Sequence, residues 1–228
     1  MIYLWQHPVF TKEEMEWGKV LLSDQRREKM AALRFEKDRE QSMAAYLLLR
    51  YALYTEYGII QKPYFCFPSG TKPALCGKDF SGLHMNVSHC DIGCACALSR
   101  FPVGIDVQTV TPFREKVARY AFSPQEQLLQ SPEDFTRIFT LKEAFGKHSG
   151  KGIAYSMRLC DFSSIEGDWQ QHDGVWWYSV GDGQWHVSVC AEEKLVVKKV
   201  PHTRIMEVLR QIGPESGDRT REKGREDE

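Results

Sequence analysis

The alternation of apolar and polar positions along the chain marks several elements. Asp38 to Tyr57 reads as a long helix with Gly58 as its C-terminal stop, and Asp24 to Leu33 as a shorter one rich in Arg and Lys. Two helix starts are written explicitly. Ser123-Pro124-Gln125-Glu126 offers an N-cap Ser, Pro at the first helical position and Glu at the third, and Ser131-Pro132-Glu133-Asp134 repeats this with Asp. The second start predicts a helix to about Lys147 or His148, burying Phe135, Ile138, Phe139, Ala144 and Phe145 and stopped by Gly150 and Gly152. Short apolar runs bounded by turn residues predict strands at 85–88, 94–98 and 103–107. Residues 175–180 and 184–191 flank Gly181-Asp182-Gly183 and read as a hairpin, with a further strand at 195–200. Helices then strands, twice over, predict an α+β protein of two similar lobes.

Composition narrows the class. The 228 residues carry 30 Lys and Arg against 31 Asp and Glu. The segment 213–228 holds six acids, four bases and no large apolar residue, and is expected to be a disordered charged tail. The body is therefore itself balanced, with 26 bases against 25 acids. A balanced chain with 42% hydrophobic residues is not a generic basic nucleic-acid binder. No apolar run approaches the roughly 20 residues of a membrane span. The start lacks the pattern of a signal peptide. The seven cysteines lack metal-ligand spacing and read as reduced thiols in a cytoplasmic protein.

Three segments could carry chemistry. Glu143 and Lys147 lie four apart on one helix face, which equally describes an exposed ion pair of about 0.3 kcal/mol. Lys142 points elsewhere. Asp106 ends a short apolar strand, where a carboxylate would suit a hard cation such as Mg²⁺ or simply cap a turn. Asn86-Val87-Ser88-His89 ends another strand in a hydroxyl and an imidazole, both suited to phosphate oxygens. Cys94 and Cys96 alternate within a strand and are expected to pack as small apolar residues. No phosphate-binding glycine loop of the common nucleotide folds occurs.

The order of these motifs is more specific than any one of them. Asn-Val-Ser-His at 86–89, Gly-Ile-Asp at 104–106 and Leu-Lys-Glu-Ala-Phe-x-Lys at 141–147, followed by Gly-Lys-Gly at 150–152, resemble the 4′-phosphopantetheinyl transferase superfamily. The resemblance is to its long, surfactin-type (Sfp-like) branch and covers roughly residues 1–200. It implies a cytoplasmic monomer of two pseudo-symmetric lobes, each a small, mostly antiparallel sheet packed with helices, with the active site at their junction. The expected lobes are 1–103, on the coenzyme A side, and 104–212, with the metal and the catalytic helix. The implied reaction moves 4′-phosphopantetheine from coenzyme A to a serine of an apo acyl or peptidyl carrier protein and releases 3′,5′-ADP.

By the same resemblance, Asp106 and Glu143 hold Mg²⁺ (or Mn²⁺), with Gln108 contributing through its side chain or a water. Glu143 is the base for the carrier serine and Lys147 neutralises the phosphate. Ser88, His89, Lys72, Pro73 and Lys147 contact coenzyme A, and Arg26 and Lys29 lie near its 3′-phosphate unless they are only a solvated helix face. Four positions depart from the pattern. Gln108 replaces a second acid, Gln41 an Arg for which Arg39 is the stand-in, Thr71 a Gly, and Phe139 a Trp. The first two also allow an alternative, a non-catalytic module that binds coenzyme A or a carrier protein. No nucleic-acid or membrane partner is expected.

Overall fold

The computed structural model describes residues 1–68, 72–153 and 155–213. The expected tail from 214 onward and the departure at Thr71 lie outside the described residues.

Two four-stranded sheets form the body. The first has β1 (Ile2–Gln6), β4 (His84–His89), β5 (Gly93–Ser99) and β10 (Val197–Lys199) in the order β10-β1-β5-β4. The second has β6 (Val103–Thr109), β7 (Gly167–His172), β8 (Val175–Gly181) and β9 (Trp185–Ala191) in the order β6-β9-β8-β7. All ladders within these sheets are antiparallel except β1–β10. A small hairpin joins β2 (Tyr64–Cys66) to β3 (Ala74–Cys76).

Each sheet carries one long helix on its outer face. Helix α3 (Glu36–Tyr57) packs on the first and buries every residue from Ser42 to Leu53. It ends at Gly58, whose φ of 66° is the left-handed conformation that glycine adopts freely. Helix α5 (Pro132–Ser149) packs on the second. Ser131 caps its start by accepting from the Asp134 N–H, and Gly150 at φ 74° ends it. The inner faces meet in an apolar layer that includes Ile2, Leu4, Ala95, Ala97, Ile105, Val107, Val187 and Val189. This is the expected α+β architecture.

The sheets are joined at their edges by side chains. Asn86 Oδ1 of β4 accepts from the Ile105 N–H at 2.8 Å, and Ser88 Oγ accepts from the Val107 N–H at 3.3 Å. Edge strand β6 thus has buried N–H groups satisfied by a neighbouring sheet's side chains.

Several features differ from the sequence reading. Helices α1 (Lys12–Val20), α2 (Asp24–Ala31), α4 (Glu115–Ala121) and α6 (His202–Ile212) complete the set, and of these only α2 was signalled. The Ser123 start yields only a 3₁₀ turn at Glu126–Leu128. Ser131, which precedes Pro132, must be extended, and Glu126 is drawn into the interior. Residues 197–212, expected with the second lobe, lie with the first: Ile2 pairs with Val197, and Ile205, Met206 and Leu209 join the core under α3. The reading of all seven cysteines as reduced thiols is corrected. Cys66 and Cys76 form a disulfide in the β2–β3 hairpin, while Cys94 and Cys96 are free and buried as expected. Among the described residues no helix is long and apolar enough to cross a membrane.

Candidate functional site

The first sheet, the second sheet and α5 each send a polar side chain to one point. Asp106, on β6, is 7% exposed. Its Oδ1 accepts from Ser88 Oγ at 2.7 Å and from Lys147 Nζ at 2.6 Å. Lys147 also donates to Ser88 Oγ and to the Ile105 carbonyl, each at 3.2 Å. The Lys147 ammonium therefore turns to the strand carboxylate, not to the Glu143 partner of an exposed i, i+4 pair.

Glu143 lies one turn before Lys147 and is half-buried. Burial pushes its carboxyl above the usual range, the Asp106 charge adds to this, and Lys147 opposes it. Two carboxylates, one from β6 and one from the α5 helix packed on it, thus feel each other beside the lobe junction. Gln108 follows Asp106 by two residues and shares its face of β6. It lines a cavity of about 70 Å³ with Thr136 and Phe139. Among the described residues no three His, Cys, Asp or Glu side chains converge as a ready-made metal site.

A second group of cations adjoins this cluster. The His89 imidazole is pushed down by desolvation, and then by Lys147, Arg26 and Lys29. Arg26 is not on a solvated face. Its guanidinium lies 5.2 Å from the Tyr46 ring centre and 5.3 Å from that of Phe65, and Nη1 donates to Ser42 Oγ at 3.2 Å. Lys29 is exposed at the surface, and its ammonium is lowered by burial of its stem and by Arg26. His89 and the three cations whose charge acts on it describe a locus that an anion would stabilise.

Lys72 lies at the other end of the junction. Its ammonium donates to the Val103 carbonyl at 3.2 Å and to the His148 carbonyl at 3.4 Å, tying the β2–β3 hairpin to β6 and α5. Pro73 follows it, half-buried. Gln41 is directed elsewhere: it donates to Asp91 Oδ1 at 3.0 Å, beside a Lys37–Asp91 ion pair, in a cleft of about 200 Å³ that also includes His89. Arg39 does not stand in for it, since its guanidinium donates to the Leu33 carbonyl at 2.7 Å.

Lys142 is not the bland helix-face residue expected. It is fully buried, pairs with Glu126 at 2.8 Å and donates to the Met157 and Cys160 carbonyls at 2.8 and 2.6 Å. Glu126 in turn accepts from the Phe162 and Ser123 N–H groups. This pair anchors α5 to the segments before and after it. The sequence carried no signal for it, because the partners are 16 residues apart and the other acceptors are backbone.

A family model described as the 4′-phosphopantetheinyl transferase superfamily matches residues 102–199, the span that holds Asp106, Glu143 and Lys147. The chain is 28% identical over 160 residues to the 4′-phosphopantetheinyl transferase Sfp of Bacillus subtilis (strain 168), covering 67% of this chain and 70% of the relative. It is 27% identical over 154 residues to the 4′-phosphopantetheinyl transferase psf-1 of Bacillus pumilus, covering 64% of this chain and 65% of that one. It is 24% identical over 196 residues to the 4′-phosphopantetheinyl transferase ffp of Bacillus subtilis, covering 79% and 87%. With the α+β fold and the ordered motifs, these matches support a likeness of the chain to the 4′-phosphopantetheinyl transferase superfamily, in its Sfp-like branch.

Proposed function

We propose that this chain transfers the 4′-phosphopantetheinyl group of coenzyme A to a serine hydroxyl of an apo acyl or peptidyl carrier protein, releasing 3′,5′-ADP. The observation that supports this most is the convergence of Ser88, Asp106, Glu143 and Lys147 from three separate elements on the lobe junction. Attack of a hydroxyl on the β-phosphorus needs a base for the incoming proton and positive charge for the pyrophosphate oxygens. Glu143 is the base: its raised carboxyl is a stronger proton acceptor than an exposed glutamate, and it takes the serine proton. Lys147 neutralises the phosphate, held in place by Asp106, Ser88 and the Ile105 carbonyl. His89, Arg26 and Lys29 receive a phosphate of coenzyme A, and Lys72 and Pro73 line its other end.

The donor set suits a hard dication. Asp106 and Glu143 offer carboxylate oxygens and Gln108 an amide oxygen, and a cation between the two carboxylates would relieve the repulsion that raises Glu143. Mg²⁺ or Mn²⁺ bound there would neutralise developing charge on the pyrophosphate. With only two carboxylates, its remaining ligands would come from water and substrate. Both lobes that frame the site belong to one chain, which supports a monomer as the working unit.

The test mixes the purified protein with coenzyme A, Mg²⁺ and a panel of apo carrier proteins, and reads intact mass. A carrier that gains one phosphopantetheine supports the proposal. Coenzyme A binding with no carrier modified would assign the non-catalytic binding role instead.

A further inference from the structure

Four buried polar side chains, one on α5 and three on the strands beneath it, take no part in the reaction above. Thr140 Oγ1 lies 2.7 Å from Ser188 Oγ, Ser188 Oγ 3.0 Å from Ser179 Oγ, and Ser179 Oγ 2.9 Å from His186 Nε2. Thr140, Ser179 and Ser188 are wholly buried and His186 nearly so.

Counting donors fixes the direction of this chain. A hydroxyl has one proton to give. Thr140 gives its own to the Arg137 carbonyl at 2.9 Å, a group that can only accept. Ser188 must then donate to Thr140, Ser179 to Ser188, and His186 to Ser179 through Nε2–H. Burial, with Arg137 nearby, pushes the imidazole down to about 4, so at neutral pH the ring is uncharged and its single proton is on Nε2.

The chain joins the two halves of the proposed site. Ser188 stands directly opposite Asp106 in the β6–β9 ladder. Thr140 stands one turn before Glu143 and two before Lys147 on α5. The Ser188–Thr140 bond is therefore a direct link between the strand ladder that carries Asp106 and the helix that carries its partners. At Gly104 the α5 backbone comes so close to β6 that any Cβ would overlap the Ala144 carbonyl. That contact presses helix on strand, but it is non-directional. A hydrogen bond has a preferred length and angle, so the hydroxyl chain also sets how far α5 slides and rolls.

We propose that Thr140, Ser188, Ser179 and His186 are positioning residues that set the height of Glu143 and Lys147 over Asp106. The inference rests on the transfer reaction proposed above. It identifies positions in this chain, off the reacting centre, that govern the rate.

Two measurements test it. The first needs no activity: ¹⁵N-resolved NMR of His186 in the folded protein is expected to show protonation at Nε2 alone, and protonation at Nδ1 alone would overturn the direction of the chain. The second is kinetic. Thr140→Val and Ser188→Ala are each expected to lower kcat about tenfold or more while KM for coenzyme A stays within about twofold. The double variant should be no slower than the slower single, because the same Ser188–Thr140 link is broken in all three. Thr140→Ser, which keeps the hydroxyl, should restore the rate. Should Thr140→Val not fold, Ser179→Ala reads the same chain one link further from the helix. Wild-type protein that modifies no carrier sinks the transfer reading. Wild-type transfer matched by folded Thr140→Val or Ser179→Ala, or strictly additive losses, sinks this inference.

Discussion

Ser88 and Asp106 belong to different sheets, and the Ser88 hydroxyl donates to Asp106 Oδ1 at 2.7 Å. Ser88 Oγ itself accepts from the Val107 N–H and from Lys147. One hydroxyl thus serves both the joint between the sheets and the charge cluster. Ser88→Ala leaves the buried Val107 N–H without its acceptor, which costs about 1–3 kcal/mol. The expected result is a lower urea midpoint together with slower carrier modification. A slower rate with an unchanged midpoint would mean that the serine acts on substrate alone.

Asp106→Ala and Glu143→Gln are expected to lower turnover by at least about a hundredfold while the circular dichroism of the fold persists. Intact-mass assays on the best carrier measure this. Retained turnover in both would remove the assignment of these carboxylates.

Glu143 makes a pH prediction whose sign can be worked out. Its carboxyl in the folded, metal-free protein titrates above the ordinary value of 4.5, because burial and Asp106 favour the neutral form. A folded-state value above the unfolded one means that the folded state holds the proton more tightly. The resulting stability is fully present below the unfolded value and is lost as pH rises through the folded one. Glu143→Gln should therefore raise Tm at pH 7 and change it little at pH 4. Asp106→Asn should move the Glu143 titration, followed by ¹³C NMR, back down toward the ordinary range.

The Lys142–Glu126 pair gives an asymmetric expectation. Lys142→Met strands a fully buried carboxylate and should cost about 3–5 kcal/mol in urea unfolding. Adding Glu126→Gln removes the stranded charge and keeps an acceptor for the Phe162 N–H, so the double variant should regain much of the loss. A double variant less stable than Lys142→Met would refute a pairing role.

Thiol titration of the unfolded chain without reductant should find five reactive cysteines, from Cys90, Cys94, Cys96, Cys160 and Cys190, and two more only after reduction. Seven before reduction would dissolve the Cys66–Cys76 link.

The parts of this molecule that could be read in advance are those written in local code. Ser131-Pro132 and Gly150 bracket α5, and Gly58 ends α3, because caps and left-handed stops are chosen within a few residues. The sequence also named Ser88, Asp106, Glu143 and Lys147, which meet at the junction. What stayed hidden depends on pairings distant in sequence. Glu126 looked like an N-cap acid, and only its reach to Lys142 and the Phe162 N–H shows why the turn stays short. Arg26 looked like one charge among many until Tyr46 and Phe65 came beneath it. Ser188 and His186 did leave a trace, as polar residues within an otherwise apolar run, but no local rule says what they bond.

The parallel pairing of Ile2 with Val197 sets the order of assembly. The first sheet has β1 (residues 2–6) as its second strand and β10 near residue 200 as its outermost, so it cannot close until the chain has been synthesised past β10. An amino-terminal half emerging from the ribosome would expose the β1 edge and part of the α3 core that α6 later covers. Cutting between 103 and 104 would thus yield two fragments that need each other, and the two lobes would melt as one cooperative unit.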